Sequence, residues 1–152
     1  PQPQRLMSTV LDQRYRELRA LEARAIRWAS QRTDVAAIVL VGSFARSAAR
    51  LDSDVDLVLL VEDPLQLNTD TGWLTDLAPG AEPLRTGQWG PVTEHRVTSS
   101  TGLELEFGIT APSWADLPLD PGTAKVLNNG ARPIYDPSQL AAIAIDSAQR
   151  SL

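Results

Sequence analysis

Residues 41–61, VGSFARSAARLDSDVDLVLLV, place two aspartates directly before and within an apolar run. A carboxylate is costly to bury and adds nothing to a hydrophobic core, so Asp54 and Asp56 need a reason other than packing. Successive side chains of a strand point to opposite faces, and the two aspartates therefore share one face. Neighbouring carboxylates repel each other, and a divalent cation would remove that conflict. The segment predicts a metal site at the start of a strand.

The apolar run at residues 35–41 and the run within residues 53–63 both have the length and β-rich composition of buried strands. The Ala- and Arg-rich segment between them predicts a short helix that begins after Gly42 and Ser43. Gly42 allows the backbone to approach a ligand closely, and Ser43 with the N–H groups of a helix start can hold a phosphate. A phosphate site beside metal-binding carboxylates predicts a site for a metal-bound nucleoside triphosphate.

A third carboxylate is expected on a later strand, because two metal ions about 3.5–4 Å apart need bridging ligands and normally a further acid. The alternating segment LELEFGIT, residues 103–110, offers Glu104 and Glu106 on one face. We favour Glu106 as the third acid, since Glu104 would lie further along the strand at its rim. A merely solvated strand face remains the alternative for Glu106.

The remaining patterns predict one mixed α/β domain. Residues 71–80 predict a short helix, the Gly- and Pro-rich residues 80–91 a loop, and residues 132–135 a strand. Asp-Pro pairs predict the starts of the two C-terminal helices, the second running to the terminus. The predicted divisions are an N-terminal amphipathic helix (1–33), the Gly-Ser and Asp-x-Asp core unit (35–62), a hairpin carrying the third acid (92–110) and the C-terminal helices (120–152).

The amino-acid composition limits which side-chain atoms can bind a metal. The 152 residues include no cysteine and one histidine, so oxygen ligands must hold a metal, which favours magnesium or manganese. An isolated His95 is expected at the surface of the hairpin, and Trp73, Trp89 and Trp114 are expected in the core, with an acceptor surface as the alternative.

The net charge of −5 is unevenly spread, because residues 1–33 carry seven arginines against three acids. The acidic remainder disfavours a nucleic-acid polymer as partner. No apolar stretch has the length of a membrane span, and residues 1–9 lack the apolar centre of a signal peptide, so a cytoplasmic protein is expected.

Two short stretches carry a family resemblance. Gly42-Ser43-Phe44-Ala45-Arg46, followed by Ser53-Asp54-Val55-Asp56-Leu57, resembles the signature of the polymerase-beta-type nucleotidyltransferase superfamily. The resemblance implies a nucleotidyltransferase fold, in which helices flank a small mixed β-sheet. A Ser follows Arg46 where the family usually has Gly, a departure that touches no ligand.

The resemblance also implies the roles of individual residues. Asp54, Asp56 and Glu106 would hold two Mg²⁺ ions, with Mn²⁺ as an alternative, and Glu106 could also serve as the base for the acceptor hydroxyl. Gly42 and Ser43 would hold the triphosphate of ATP or another nucleoside triphosphate. Arg46 and Ser53 are predicted to contact the same nucleotide.

The function that the resemblance implies is transfer of a nucleoside monophosphate, AMP from ATP as the first choice, to a hydroxyl of a protein or small molecule. The short chain resembles minimal, single-domain members, some of which act as antitoxins that transfer AMP to a HEPN-type helical partner. One alternative is a nucleotide-binding, antitoxin-like interaction module with little or no catalysis. Another is modification of a small hydroxylated acceptor, such as an aminoglycoside, at a site completed by a homodimer.

Overall fold

The computed structural model describes residues 2–150, and its centre is a six-stranded mixed sheet with helices on both faces. In chain order the elements are α1 (Gln2–Ser30), β1 (Val35–Val41), β2 (Val55–Val61), α2 (Pro64–Thr69), α3 (Trp73–Leu77), β3 (Glu82–Trp89), β4 (Val92–Thr98), β5 (Glu104–Thr110), a 3₁₀ helix (Pro112–Ala115), α4 (Pro121–Asn128), β6 (Ala131–Tyr135) and α5 (Leu140–Arg150). The predicted fold class is confirmed.

The strands lie in the order β3-β4-β5-β2-β1-β6. Strand β2 pairs in parallel with β5, and the other neighbouring strands pair antiparallel. A parallel pair needs a long connection, which here contains α2, α3 and the hairpin β3–β4. The topology therefore places β2 and β5 side by side in the middle of the sheet although they are far apart in sequence.

The first face of the sheet packs against α1, α2 and α3. The periodic apolar residues of α1, such as Leu18, Leu21 and Ala25, are buried against alternate residues of the central strands, such as Leu57 and Phe107. This arrangement follows from the helical spacing of three and four in α1 and the alternation of side chains along each strand.

The second face is only partly covered. The 3₁₀ helix, α4 and α5 pack on β1, β2 and β6, where Val39, Val58 and Leu60 are buried. The part of this face formed by β3, β4 and the start of β5 carries charged side chains, and Glu82 to Gln88 are exposed throughout. The two aspartates lie at the border between the covered part and this open part.

The helix predicted after Ser43 is wrong, because residues 43–47 form consecutive turns. Gly42 has φ +86° and Ser47 has φ +57°, and both values lie outside the helical region. The N–H of Ala45 donates to the carbonyl of Gly42 at 3.1 Å, a bond that spans three residues as in a turn. The Gly-Ser segment is thus a tight turn and not a helix start.

The loop predicted for residues 80–91 is also wrong, because most of it forms edge strand β3. All its residues up to Gln88 are exposed, so β3 shows none of the apolar alternation by which a strand is predicted. Pro83 is tolerated because an edge strand has one unpaired side, and the register is irregular between Pro83 and Arg85. Backbone pairing with β4 holds this strand in place.

Two further expectations are corrected. His95 is buried, with 4% of its surface exposed, and its Nε2 lies 2.7 Å from Asn68 Oδ1 beside the ring of Trp73. The last helix begins at Leu140, because the Asp136 carboxylate accepts from the N–H groups of Ala141 and Ala142. Of the predicted terminal elements, residues 1, 151 and 152 lie outside the described residues.

Among residues 2–150, none of the helices is both long enough and apolar enough to span a bilayer.

Candidate active site

Three carboxylates meet at the border of the open face. Asp54, Asp56 and Glu106 each offer one oxygen, and these oxygens all lie within 4.8 Å of one another. Asp56 on β2 and Glu106 on β5 are register partners in the parallel pair, and Asp54 immediately precedes β2. The structure therefore brings the predicted third acid to the two aspartates, while Glu104 lies at the rim with 47% of its side chain exposed.

Asp56 is the most constrained of the three acids. Burial raises the pKa of Asp56 to about 6, and the nearby charge of Asp54 adds to the increase. Its Oδ1 atom is buried and has no hydrogen-bond partner among residues 2–150. A buried carboxylate oxygen without a partner is costly, so this position is suited to a ligand that supplies positive charge.

Two glutamates extend the cluster across β5 and β4. Burial raises the pKa of Glu106 to about 7, and hydrogen bonding with Asp56 contributes in the same direction. Hydrogen bonding with Glu106 raises the pKa of Glu94 to about 7 as well. Both glutamates therefore change protonation near neutral pH, as expected where several carboxylates share one site.

Arg96 is the positive group within this cluster, and it was not singled out from the sequence. Its Nη1 lies 2.7 Å from Asp54 Oδ2 and 3.1 Å from Glu104 Oε1, and its Nη2 lies 3.4 Å from Glu106 Oε2. Burial lowers the pKa of Arg96, but its hydrogen bonds to Asp54 and Glu104 outweigh that effect and raise the pKa above its ordinary value. In VTEHRVT, Arg96 follows Glu94 by two residues and therefore shares its strand face, and this spacing could have pointed to Arg96.

The Gly-Ser turn lies directly against the acids. A Cβ atom at Gly42 would stand 3.0 Å from Asp56 Oδ2, and the positive φ of Gly42 is one that other residues rarely adopt. The N–H groups of Ser43 and Phe44 donate to no acceptor among residues 2–150. Successive free N–H groups in a turn form a concavity suited to anions. The turn therefore offers hydrogen-bond donors beside the carboxylates without requiring a helix.

The other two predicted nucleotide contacts lie near the site but have partners in the chain. The Arg46 guanidinium donates from Nη1 to the carbonyl of Asn129 at 2.8 Å and packs beside Gly130. The Ser53 hydroxyl oxygen accepts from the Arg50 N–H at 2.8 Å, which stabilises the loop before Asp54. Their contribution to nucleotide binding remains a prediction.

A cavity of about 220 Å³ opens between the acids and the C-terminal end of α4. Asp56 and Glu106 line it together with Gly42, Trp89 and Val126. Its volume is below the about 300–1,000 Å³ of pockets that bury a whole drug-sized ligand, so a bound nucleotide would be only partly enclosed by it. Trp89 is the tryptophan that faces the site, whereas Trp73 and Trp114 are buried in the core, as expected.

The residues present fit a divalent cation. Three carboxylates converge from two neighbouring strands, and one of them has a buried oxygen without a partner. Oxygen ligands of this kind suit Mg²⁺ or Mn²⁺. Carboxylates, a glycine turn with free N–H groups and an adjoining cavity are the features expected of a site that binds phosphate and a metal ion.

Residues 23–85 match the family model described as a nucleotidyltransferase domain. The matched segment contains the Gly-Ser turn and both aspartates, and it ends before β4 and Glu106. This match supports the resemblance of the segment to the polymerase-beta-type nucleotidyltransferase superfamily.

Among solved structures, the chain is similar to Cid1, an RNA terminal uridylyl transferase, with 22% identity, a TM-score of 0.45 and coverage of 67% of this chain and 30% of that chain. It is also similar to a cytoplasmic RNA terminal U-transferase, with 23% identity, a TM-score of 0.47 and coverage of 64% of this chain and 31% of that chain. The chain thus spans about a third of the length of these proteins. Comparison with the curated proteins finds no match.

Proposed function

We propose that the protein is a metal-dependent nucleotidyltransferase that moves a nucleoside monophosphate, AMP from ATP in the first instance, to a hydroxyl group. The observation that carries this proposal is the convergence of Asp54, Asp56 and Glu106 within 4.8 Å, directly against Gly42. The family of the segment at residues 23–85 supports the reaction class.

The residues take distinct roles in this proposal. Asp54, Asp56 and Glu106 would hold two Mg²⁺ ions, which would neutralise the triphosphate and make the acceptor hydroxyl more acidic. The free N–H groups of Ser43 and its neighbour bind phosphate oxygens, since Gly42 leaves room for close approach. Arg46 and Ser53 border this phosphate position.

The transfer itself is a displacement at the α-phosphorus. The acceptor oxygen forms a bond to that phosphorus, the bond from the α-phosphorus to the bridging oxygen breaks, and pyrophosphate leaves with the electron pair. The hydroxyl proton passes to a carboxylate oxygen of Glu106, the third acid of the cluster.

The acceptor is a hydroxyl on a protein or a small molecule, and we place it on the open face formed by β3, β4 and the start of β5. This face adjoins Glu106 and the cavity beside Trp89, and its edge strand is exposed along its length. A helical partner protein or a second copy of the chain would have access from the same side.

The alternative of an interaction module without catalysis would be favoured by loss of the third acid. Glu106 instead lies with the two aspartates, which supports the catalytic proposal. A chain that only binds nucleotide would have no need of a third carboxylate at this distance.

The test is a calorimetric titration of the four nucleoside triphosphates, with Mg²⁺, into wild type and the Asp54→Asn/Asp56→Asn double variant. Binding of a nucleotide by wild type alone is the expected result, and it would also identify the base. Absence of binding by both proteins would overturn the proposal and favour an interaction role. Pyrophosphate release, measured with and without added acceptors, then separates transfer from binding.

A further inference from the structure

Arg96 is embedded among more carboxylates than one cation can neutralise. Four acids have an oxygen within 4 Å of its guanidinium nitrogens: Asp54, Glu94, Glu104 and Glu106. Its side chain is only 13% exposed, and the Nε atom is buried without a partner among residues 2–150. A buried arginine is costly unless its contacts compensate for the loss of water, so these ion pairs are the reason it can occupy this position.

Two of the acids that Arg96 binds belong to the metal-binding triad. The shortest contact, 2.7 Å, is to Asp54 Oδ2, and the contact to Glu106 Oε2 is 3.4 Å. The other two acids, Glu94 and Glu104, lie outside the triad on β4 and at the start of β5. The guanidinium therefore lies between the triad and a second pair of carboxylates.

We propose that Arg96 is an internal counter-ion that competes with the divalent cation for Asp54 and Glu106, and that metal binding shifts the guanidinium onto Glu94 and Glu104. This inference rests on the proposed function, because it takes the triad as the metal site. A guanidinium and a metal ion that share the same carboxylates repel each other, so each weakens the binding of the other. Arg96 thereby tunes the affinity for the metal.

The shape of arginine suits this role. Its planar fork presents Nη1 to Asp54 and Glu104 while Nη2 faces Glu106 and Glu94, so each nitrogen has one partner inside the triad and one outside it. A small rotation or shift can then exchange partners without leaving the guanidinium unpaired. A lysine has one charged nitrogen and cannot span both sides in this way.

The experiment measures Mn²⁺ binding by electron paramagnetic resonance, in which free Mn²⁺ gives the signal, for wild type, Arg96→Met and Arg96→Lys. Removing a positive charge within a few ångströms of ionisable groups changes their affinity for a cation by about tenfold or more. We expect Arg96→Met to bind Mn²⁺ at least about tenfold more tightly than wild type, with Arg96→Lys between the two.

Arg85→Met is the matched control. Arg85 lies opposite Arg96 in the register of β3 and β4, but it is exposed and forms no ion pair within 4 Å among residues 2–150. Its removal also takes away one positive charge from the same face. An affinity close to that of wild type is expected, because an exposed charge is largely screened by water and salt.

Thermal unfolding provides a second readout. With a chelator present, Arg96→Met should unfold at a lower temperature than wild type, because the acids then lack their counter-ion. Added Mn²⁺ should raise its unfolding temperature more than that of wild type, since tighter binding stabilises the folded state more.

The Mn²⁺ affinities distinguish failure of the metal-dependent function from failure of the competition by Arg96. If wild type binds no Mn²⁺, the metal-dependent function fails and the inference fails with it. If wild type binds Mn²⁺ and Arg96→Met binds it equally or more weakly, the function stands and the competition is overturned. Should Arg96→Met not fold, Arg96→Lys decides the matter, because an affinity equal to wild type would contradict the inference and a tighter one would support it.

Discussion

Asp56 on β2 and Glu106 on β5 are register partners in a parallel strand pair, although fifty positions of sequence separate them. Adjacent strands lie about 4.8 Å apart, so register pairing alone brings these two carboxylates close together. The oxygens of both acids and of Asp54 lie within 4.8 Å of one another.

Asp56→Asn should abolish nucleotidyl transfer without loss of the fold, because it removes charge and hardly changes shape. Since burial raises the pKa of Asp56 to about 6, its charge is unfavourable in the metal-free protein, and the variant should unfold at an equal or higher temperature at pH 8 in chelator. Pyrophosphate release and thermal unfolding check the two parts. The exposed Asp52→Asn is the control and should retain wild-type activity. An Asp56→Asn variant that transfers nucleotide at the wild-type rate would contradict the mechanism.

Glu106→Gln and Glu104→Gln should differ sharply in activity. Glu106 joins the triad, whereas Glu104 is about half exposed and pairs with Arg96. We expect Glu106→Gln to lose activity by about a hundredfold or more, the scale of a lost acid-base group, and Glu104→Gln to lose far less, because Glu104 contacts Arg96 and lies outside the triad. Initial rates of pyrophosphate release at saturating ATP provide the comparison. Equal losses in both variants would mean that the third acid has been assigned to the wrong residue.

Gly42→Ala should weaken Mg²⁺-dependent nucleotide binding. The loss of affinity should exceed what the loss of folding stability alone would cause. A Cβ at this position would stand 3.0 Å from Asp56 Oδ2 and would narrow the approach to the turn. Gly80→Ala is a close control, since Gly80 has φ +78° but no atom within 4 Å of the added Cβ.

Both alanine variants should lose about 1–2 kcal/mol of unfolding free energy, the cost of a left-handed conformation for an L-residue. Only Gly42→Ala should also reduce the affinity for nucleotide in calorimetry. Unchanged affinity in Gly42→Ala would show that the turn does not contact the phosphates.

The stability of the metal-free protein should fall as the pH rises from about 4 to about 7. The folded-state pKa values of Asp56, Glu106 and Glu94 are about 6, 7 and 7, above the ordinary values of these acids, so the folded protein binds more protons than the unfolded chain in this range. The stabilisation that these acids give the folded protein is fully present below their ordinary pKa values. It is lost as the pH rises through their folded-state pKa values.

Urea denaturation in chelator at several pH values measures this effect, and Glu106→Gln should show a shallower decline than wild type. Metal binding has the opposite dependence, because the ligands must lose their protons: Mn²⁺ affinity should increase as the pH rises through 6 and 7. If the unfolding free energy of wild type rises with pH, and by the same amount as that of Glu106→Gln, the raised pKa that burial gives Glu106 is contradicted.

The local part of the site could be predicted from the sequence because it lies in one continuous stretch. The distance from Gly42 to Asp54 along the chain, and the spacing of the two aspartates, determine which residues can form the turn and share one face. The same holds for α1 and the central strands, whose apolar periodicity agrees with the packing of the core.

Strand β3 and the turns after Ser43 could not be predicted in the same way. Edge strand β3 has no buried face and is held by backbone bonds to β4, so no hydrophobic pattern marks it. The segment after Ser43 has helix-forming residues, but the positive φ angles of Gly42 and Ser47 redirect the chain.

The sequence by itself determined the two aspartates, the Gly-Ser turn and the alternation that directs the aspartates to one side, because these depend on local spacing. Only the tertiary structure decided that Glu106 and not Glu104 joins Asp54 and Asp56, and that Arg96 lies among them. Strand order and register bring together residues from β2, β4 and β5, and no local pattern encodes which strands become neighbours.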